Sequence, residues 1–255
     1  MPISHDAIEA DALRGATAVV HLAGEPIAAK RWTPEQRRRI LDSRTTTTAR
    51  LATVLAALDE RPDVLVSGSA VGYYGDRGDE ILREDSSAGD DFLAEVCKAW
   101  EAATEAAASA GIRVVRVRTG LVLGSDGGAL SKMLPLFRFG LGGRFGAGRQ
   151  WWSWISLDDE IGAIRYLIDH DVTGPVNLTG PAPVTNAEFT RVLAKVLHRP
   201  AVVPVPRFGP RLLLGRELAD HLLWSSQRVE PAALRDHGYR FRHPELPDAL
   251  RAATG

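Results

Sequence analysis

The sequence has almost no cysteine: Cys97 is the only one in 255 residues. A single thiol excludes an intrachain disulfide framework and suits a reducing, cytoplasmic compartment. No apolar run reaches about 18 residues, so no membrane span is expected. Neither charge is in excess, because 31 basic and 32 acidic side chains leave a formal net charge of −1. That balance points to neither nucleic acid nor an anionic membrane as a partner. Met1 to Leu13 has no basic start and no apolar stretch, which excludes a signal-peptide pattern. There is no internal repeat, and Thr45 to Thr48 is the one low-complexity tract. What remains is 45% hydrophobic and 25% charged. Those values fit one large globular α/β domain, alone or with a small appendage.

The most informative stretch is Asp63 to Gly75, DVLVSGSAVGYYG. Val64-Leu65-Val66 is short, apolar and β-branched, which reads as a buried strand of a parallel sheet. Ser67 to Gly75 then supplies small hydroxyl residues, glycines and two phenols at the strand's carboxyl end. Ligands of open α/β sheets bind there. Ser69, Tyr73 and Tyr74 could act on a sugar or carbonyl oxygen, or the stretch could be a tight turn with two packing aromatics.

Along the chain, Ala16 to Leu22 reads as a strand ending in the small residues Ala23-Gly24, then Glu25-Pro26. Thr33-Pro34-Glu35-Gln36 is a capping box that starts a helix running to about Leu58. The threonines in its middle predict a break near Ser43 to Thr46. Asp76 to Asp91 is an acidic loop, and a helix follows from Phe92 to about Ala110. Ile112 to Val117 is the next strand, and Thr119 to Gly124 leaves the sheet. Gly140 to Gly148 has five glycines in nine residues. It neither follows a strand nor opens a helix, so it reads as an active-site loop and not as a phosphate cradle. Trp151 to Ser156 holds three of the six tryptophans. A helix follows from Leu157 to about His170, then a strand from Gly174 to Leu178 and a helix from Thr185 to about His198. Arg199 to Pro206 is extended, Glu217 to Ser226, Pro231 to His237 and Pro244 to Ala253 are helical, and the last third is otherwise irregular. Strands alternating with helices imply parallel βαβ units.

Six segments then recur in one order: HLAGEPI, SGSAVGYYGDRG, RTGLVLG, GRQWWSWISLDDEIGA, GPVNLTGPAPVTNAEF and SSQRVEPAALRDHGYRF. Together they resemble the epimerase-type, atypical or extended short-chain dehydrogenase/reductases, over essentially the whole chain. The resemblance implies a Rossmann-like parallel sheet at 1–198 and a smaller C-terminal lobe at 199–255, which resembles the family's uncharacterised terminal domain. It implies NAD or NADP as cofactor, NADP slightly ahead, against Leu22, Ala23, Gly24, Ser67, Gly68, Thr119, Gly120, Leu121 and Val122. It also implies a small, hydroxyl-bearing substrate such as a sugar nucleotide. Glu25, Arg149, Gln150, Trp151 and Trp152 are the candidate substrate contacts. Ser69 with Tyr73, ahead of Tyr74, is the candidate catalytic pair.

Two departures qualify the resemblance. Family members begin with a strand and a Gly-x-x-Gly-x-x-Gly turn that holds the pyrophosphate at a helix N-terminus. No such unit precedes the His21 strand. The expectation is that the first βαβαβ part, on the order of forty to fifty residues, is missing. The sheet then has a raw edge, and NAD(P) binding is weak. Second, reductases of this superfamily use Tyr-x-x-x-Lys on the helix after the Ser/Tyr strand. Aligning on Glu101 puts Leu93 and Cys97 at those positions, and Lys98 is turned about 100° away.

The remaining candidates have structural readings. Cys97 reads as a buried small hydrophobe and His21 as a satisfied histidine within a strand. Asp158 and Asp159 read as capping acids, so no metal is expected. The tryptophans could be core or could stack on a sugar. Three functions stay open: an NAD(P)-dependent epimerase or oxidoreductase, a non-catalytic NAD(P)-binding or sensing module, and a truncated product without cofactor binding.

Overall fold

The computed structural model describes residues 10–255. The first strand is β1 (Ala18–His21), followed by α1 (Pro34–Ala57) and β2 (Val64–Ala70). Then come β3 (Ile81–Leu82), α2 (Phe92–Ala102), α3 (Glu105–Ser109), β4 (Arg113–Thr119) and β5 (Leu121–Leu123). The middle of the chain forms α4 (Gly128–Arg138), β6 (Trp151–Trp152), β7 (Trp154–Ser156), α5 (Leu157–Asp169) and β8 (Gly174–Leu178). The last third forms β9 (Val184–Thr185), α6 (Asn186–Val196), α7 (Phe208–Leu214), α8 (Arg216–Ala219), β10 (Arg228–Val229), α9 (Ala232–Asp236) and α10 (Leu246–Thr254).

Four strands form one parallel sheet in the order β1-β2-β4-β8. Pairing runs from Ala18 beside Val64 and from Val64 beside Arg113, so β2 and β4 end side by side at Ala70 and Thr119, while β1 ends three residues earlier, at His21 beside Ser67. Strand alternation sends Leu65 and Val114 to one face, under Leu51 and Leu55 of α1 and Ala107 of α3. Val64, Val66, Val115 and Val117 face the other side, under Ala163 and Leu167 of α5. The architecture is therefore three-layered, helices on both faces of a parallel sheet, as the alternating pattern implied. Among the described residues β1 is an edge strand, with Val20 and Leu22 exposed beside it.

The segment after residue 198 does not pack as a separate core. Leu246, Ala249 and Leu250 of α10 share a cluster with Phe189 and Leu193 of α6, Leu130 of α4 and the fully buried Trp154. In the same way β10 pairs with β3, a two-residue strand inside the acidic loop of 76–91.

Three local expectations fail for physical reasons. First, α1 runs unbroken through its threonines. Thr45 Oγ1 donates to the Leu41 carbonyl four residues back, and the buried Thr48 accepts from Trp100 Nε1 at 3.0 Å. Their hydroxyls bond along the helix or into the core and do not pull the backbone away. Second, the predicted helix from Phe92 to Ala110 is two helices. Thr104 Oγ1 donates to the Glu101 carbonyl at 2.7 Å between them, and also accepts from Arg116. Third, a helix at 208–214 stands where only irregular chain was expected, and part of the predicted helix at 217–226 is a π-helical turn at Asp220–Trp224.

Candidate active site

Ser69 lies near the carboxyl end of β2, directly beside Arg118 of β4. Both are buried, Arg118 at 3% exposure. A guanidinium in a sheet interior needs a partner, and Glu101 of α2 supplies it. Arg118 Nε and Nη2 donate to the two Glu101 carboxylate oxygens at 2.8 and 2.9 Å. Ser69 Oγ donates to Glu101 Oε1 at 2.7 Å. Burial opposes the Arg118 charge, but the Glu101 hydrogen bonds and charge more than offset it and raise its pKa.

The two tyrosines follow on a 3-10 turn, Val71–Tyr74, and diverge there. Tyr74 is fully buried with Leu82 and Val229. Its hydroxyl donates to Asn177 Oδ1 at 2.6 Å and accepts from Arg118 Nη1 at 3.1 Å. Burial pushes its pKa up to about 12, against the pull of Arg118. The partners of Tyr74 all lie on strands, Asn177 on β8, Arg118 on β4, Leu82 on β3 and Val229 on β10. Tyr73 is half-buried and lies edge-on to Tyr74, with its ring face 3.5 Å from the Arg118 guanidinium carbon. The chain then turns at Gly75, φ +67°, where Gly89 backs so closely that a side chain on Gly89 would meet the Tyr74 carbonyl.

The usual acid/base positions are inert. Cys97 is buried at 4% exposure and its thiol is pushed up to about 12, chiefly by burial. Its Sγ donates to the Ala70 carbonyl. Leu93 packs beside Phe92 and Val96.

The predicted cofactor wall divides into an open and a closed part. Leu22, Ala23 and Gly24 are exposed at the end of β1, and Gly24 lies so close to Arg44 that a Cβ would be 2.9 Å from its guanidinium carbon. Arg44 Nη1 donates to the Glu25 carbonyl at 2.9 Å, and burial lowers the Arg44 pKa. Ser67 and Gly68 are buried, and a Cβ on Gly68 would meet the Trp100 indole at 2.5 Å. Thr119, Gly120, Leu121 and Val122 are partly exposed. Gly120 lies against the Ser153 carbonyl and Thr179, and Leu121 and Val122 pair with Trp154 and Ile155. His21 is not a satisfied histidine: its Nε2 and the neighbouring Ser67 Oγ are buried without a partner. Burial lowers the His21 pKa.

The predicted substrate residues separate as well. Glu25 accepts from Gln36 Nε2 at 3.2 Å, on the α1 side of the sheet end. Arg149 and Gln150 line a cleft of about 330 Å³ with Asp76, Asp79, Arg207 and Trp224. Gln150 is tied up by the Leu223 carbonyl at 2.8 Å, whereas Arg149 is exposed. Trp151 Nε1 donates to Asp79 at 2.7 Å, and Arg228 lies 4.3 Å from its ring centroid. Trp152 is packed edge-on to Phe189. Asp159 is a buried structural acid, accepting from Ser156 Oγ and from the Arg242 and His243 backbone. No group of His, Cys, Asp and Glu among the described residues could hold a metal.

Sequence reasoning missed Glu101, Arg118, Asn177, Arg207, Trp224 and Glu160. Arginines inside the strand pattern IRVVRVR were the available signal, since a buried charge requires a partner. Glu160 carried none.

The profile of the NAD dependent epimerase/dehydratase family matches residues 4–179, and that of a domain of unknown function, DUF1731, matches 205–253. An epimerase family protein of Mycobacterium leprae is 44% identical over 96% of this chain and 80% of its own length. A crystal structure of human epimerase family protein SDR39U1, isoform 2, with NADPH superposes with a TM-score of 0.89. It is 34% identical, over 96% of this chain and 85% of that one. A nucleoside-diphosphate sugar epimerase from Corynebacterium glutamicum is 40% identical with a TM-score of 0.75, over 97% of this chain and 48% of that one.

Proposed function

Since the chain belongs to the NAD dependent epimerase/dehydratase family, we propose that it is an NAD(P)-dependent epimerase or oxidoreductase acting on a sugar-nucleotide-like or other hydroxyl-bearing substrate. The observation that carries the reading is the divergence of the two phenols. Tyr74 has its hydroxyl spent on Asn177 and Arg118, and Tyr73 is left partly open at the strand ends over a fixed cation.

The residues fit the nicotinamide half of the cofactor. Exposed Leu22, Ala23 and Gly24 leave the end of β1 open to a flat ring, and Thr119 to Val122 would form the opposite wall. When bound, NAD(P) supplies reversible hydride transfer at a carbon bearing a hydroxyl. The chain's own residues would handle the proton. Tyr73 would exchange it with the substrate hydroxyl, and Ser69 would help to place the reacting oxygen once its hydroxyl turns from Glu101. Glu101 and Arg118 hold this pair in position. Arg149 and Trp151 would contact the rest of the substrate, with Trp152 and Gln150 as the wall behind them. Under this reading residues 199–255 contribute to the substrate side while sharing a core with the sheet domain. A cytoplasmic setting belongs to the same proposal and rests on the single, buried cysteine. No described helix is long and apolar enough to cross a membrane.

The test is a panel of nucleotide sugars incubated with the protein and saturating NAD+ or NADP+, followed by NMR for epimers and by absorbance for reduced cofactor. Turnover of any member supports the reading. Cofactor binding without turnover across the panel supports a non-catalytic binding module instead. The inert Leu93 and Cys97 at the usual acid/base positions favour that second reading.

A further inference from the structure

A chain-wide net charge of −1 conceals a local excess. Residues 136–144 and 199–216 together carry six arginines and no aspartate or glutamate. The same 27 residues hold eight of the thirteen large hydrophobic side chains exposed among the described residues. From the first segment these are Leu136, Phe139 and Leu141. From the second they are Val202, Val203, Phe208, Leu212 and Leu213, all at least two-thirds exposed.

The two segments form one surface. Arg199 Nε donates to the Arg138 carbonyl at 2.9 Å, Val205 N to the Arg144 carbonyl at 2.8 Å, and Gly146 N to the Val205 carbonyl at 3.0 Å. Three residues after Val205, α7 begins. Arg31 donates to the carbonyls of Leu212 and Leu213, which anchors the end of that helix by its backbone. The phenyl and leucyl side chains are left outward. The nearest acids are already spent, Asp220 on Arg211 at 2.8 Å and Glu217 on Arg37 at 2.9 Å. Arg138, Arg144, Arg199, Arg207 and Arg216 remain exposed around the apolar side chains.

We propose that this face docks on an anionic lipid surface. Phenyl and aliphatic side chains ringed by arginines are what an interfacial element offers to acyl chains and to lipid phosphates at once. A second copy fits poorly, because two-fold pairing would set the arginine rows against each other with no acids between them. Nucleic acid would use the arginines and leave Leu212, Leu213, Val202 and Val203 in water. The proposal does not depend on the reaction proposed above. It would place the mouth of the Arg149, Arg207 and Trp224 cleft beside the membrane.

The test is co-sedimentation of the full chain with phosphatidylcholine vesicles, with and without phosphatidylglycerol. Binding is expected only when phosphatidylglycerol is present, and should weaken as salt is raised. The triple variant Phe208→Ser, Leu212→Ser, Leu213→Ser should lose about tenfold or more in binding. So should Arg138→Gln, Arg144→Gln, Arg199→Gln. The three side chains of the first variant are exposed and make no side-chain hydrogen bond, so unchanged thermal unfolding is expected for it. Arg138→Gln, Arg144→Gln without the Arg199 change keeps the bond between the segments and should weaken binding in the same direction. No binding to either vesicle, or equal binding to both, would overturn the proposal. A concentration-dependent dimer abolished by the first triple variant would overturn it in favour of a second copy. Retention on a DNA duplex in place of vesicles would overturn it in favour of nucleic acid.

Discussion

Glu160 is 8% exposed in the first turn of α5. One carboxylate oxygen accepts from Thr119 Oγ1 at 2.8 Å, and the other is buried without a partner. Burial pushes its pKa up from 4.5 to about 7, against the pull of Thr119. The folded protein therefore holds this proton more tightly than the unfolded chain. Below pH 4.5 both states are protonated and burial carries no charge penalty. Between there and about pH 7 the unfolded chain ionises first, so stability falls as pH rises, and above about 7 the loss is complete. The full loss is on the order of 3 kcal/mol. Glu160→Gln should flatten this dependence and be more stable than the parent at alkaline pH, by urea unfolding across the range. An unchanged slope would mean that Glu160 is not the group responsible. A partner of that kind is invisible in LDDE, because nothing local says which acid turns inward. Arg118 was more legible: its strand alternation with Val117 and Val115 placed a charge where water is excluded. The identity of Glu101, seventeen positions earlier, needed the packing of α2 on the sheet.

At the scale of elements, the caps and the strands were legible because their causes are local. Thr33 Oγ1 accepts from Gln36 N, Ser156 Oγ from Asp159 N and Thr185 Oγ1 from Glu188 N, each at the start of a helix. The break predicted in α1 was wrong because propensity was weighed without the Trp100 indole that meets Thr48. Strands β3 and β10, two residues each, carry no period of their own and exist only as each other's partner, 147 positions apart. Gly120 shows how closely the strands meet beyond the sheet. Its amide donates to the Leu178 carbonyl, and a Cβ would enter the space of the Ser153 carbonyl and the Thr179 methyl. Gly120→Ala should cost roughly 1–3 kcal/mol, the usual range for forced overpacking. Chemical unfolding checks this, and a loss under about 0.5 kcal/mol would mean that β5 and β7 can part without penalty.

At the scale of the molecule, three side chains, Arg31, Arg37 and His221, tie the loop before α1, the first turn of α1 and the start of α2 to the segment 208–224. Arg31 holds the carbonyls of Leu212 and Leu213, Arg37 meets Glu217 at 2.9 Å, and His221 stacks on Trp32 while pairing with Asp91 at 3.4 Å. The hydrogen bond with Asp91 raises the His221 pKa. Burial works to raise that of Asp91, but the bonds from His221 and the Ala94 amide bring it below its ordinary value. A raised histidine stabilises the fold fully below its unfolded pKa of 6.5, and that contribution is lost as pH rises through the folded value. The Asp91 share is lost at the acid end, as pH falls through its lowered value. Hydrogen exchange in 208–224 should therefore quicken beyond the intrinsic rate as pH rises above 6.5, and Asp91→Asn should remove the difference. None of these partnerships was readable in the sequence, where the members lie more than 120 positions apart. The reading of the last third as a smaller lobe also hid the core it shares with Trp154 and α4.

Tyr73 is proposed as the reacting phenol and Tyr74 as a structural one. The most direct test is to measure kcat and Tm together for Tyr73→Phe and Tyr74→Phe, on a substrate found in the nucleotide-sugar panel and at saturating cofactor. Tyr73→Phe should lower kcat by about a hundredfold or more with little change in Tm. Tyr74→Phe leaves Asn177 and Arg118 short of a partner and should cost about 1–3 kcal/mol of stability, with kcat falling far less in the folded fraction. Full turnover by Tyr73→Phe, or a kcat loss confined to Tyr74→Phe, would contradict the account.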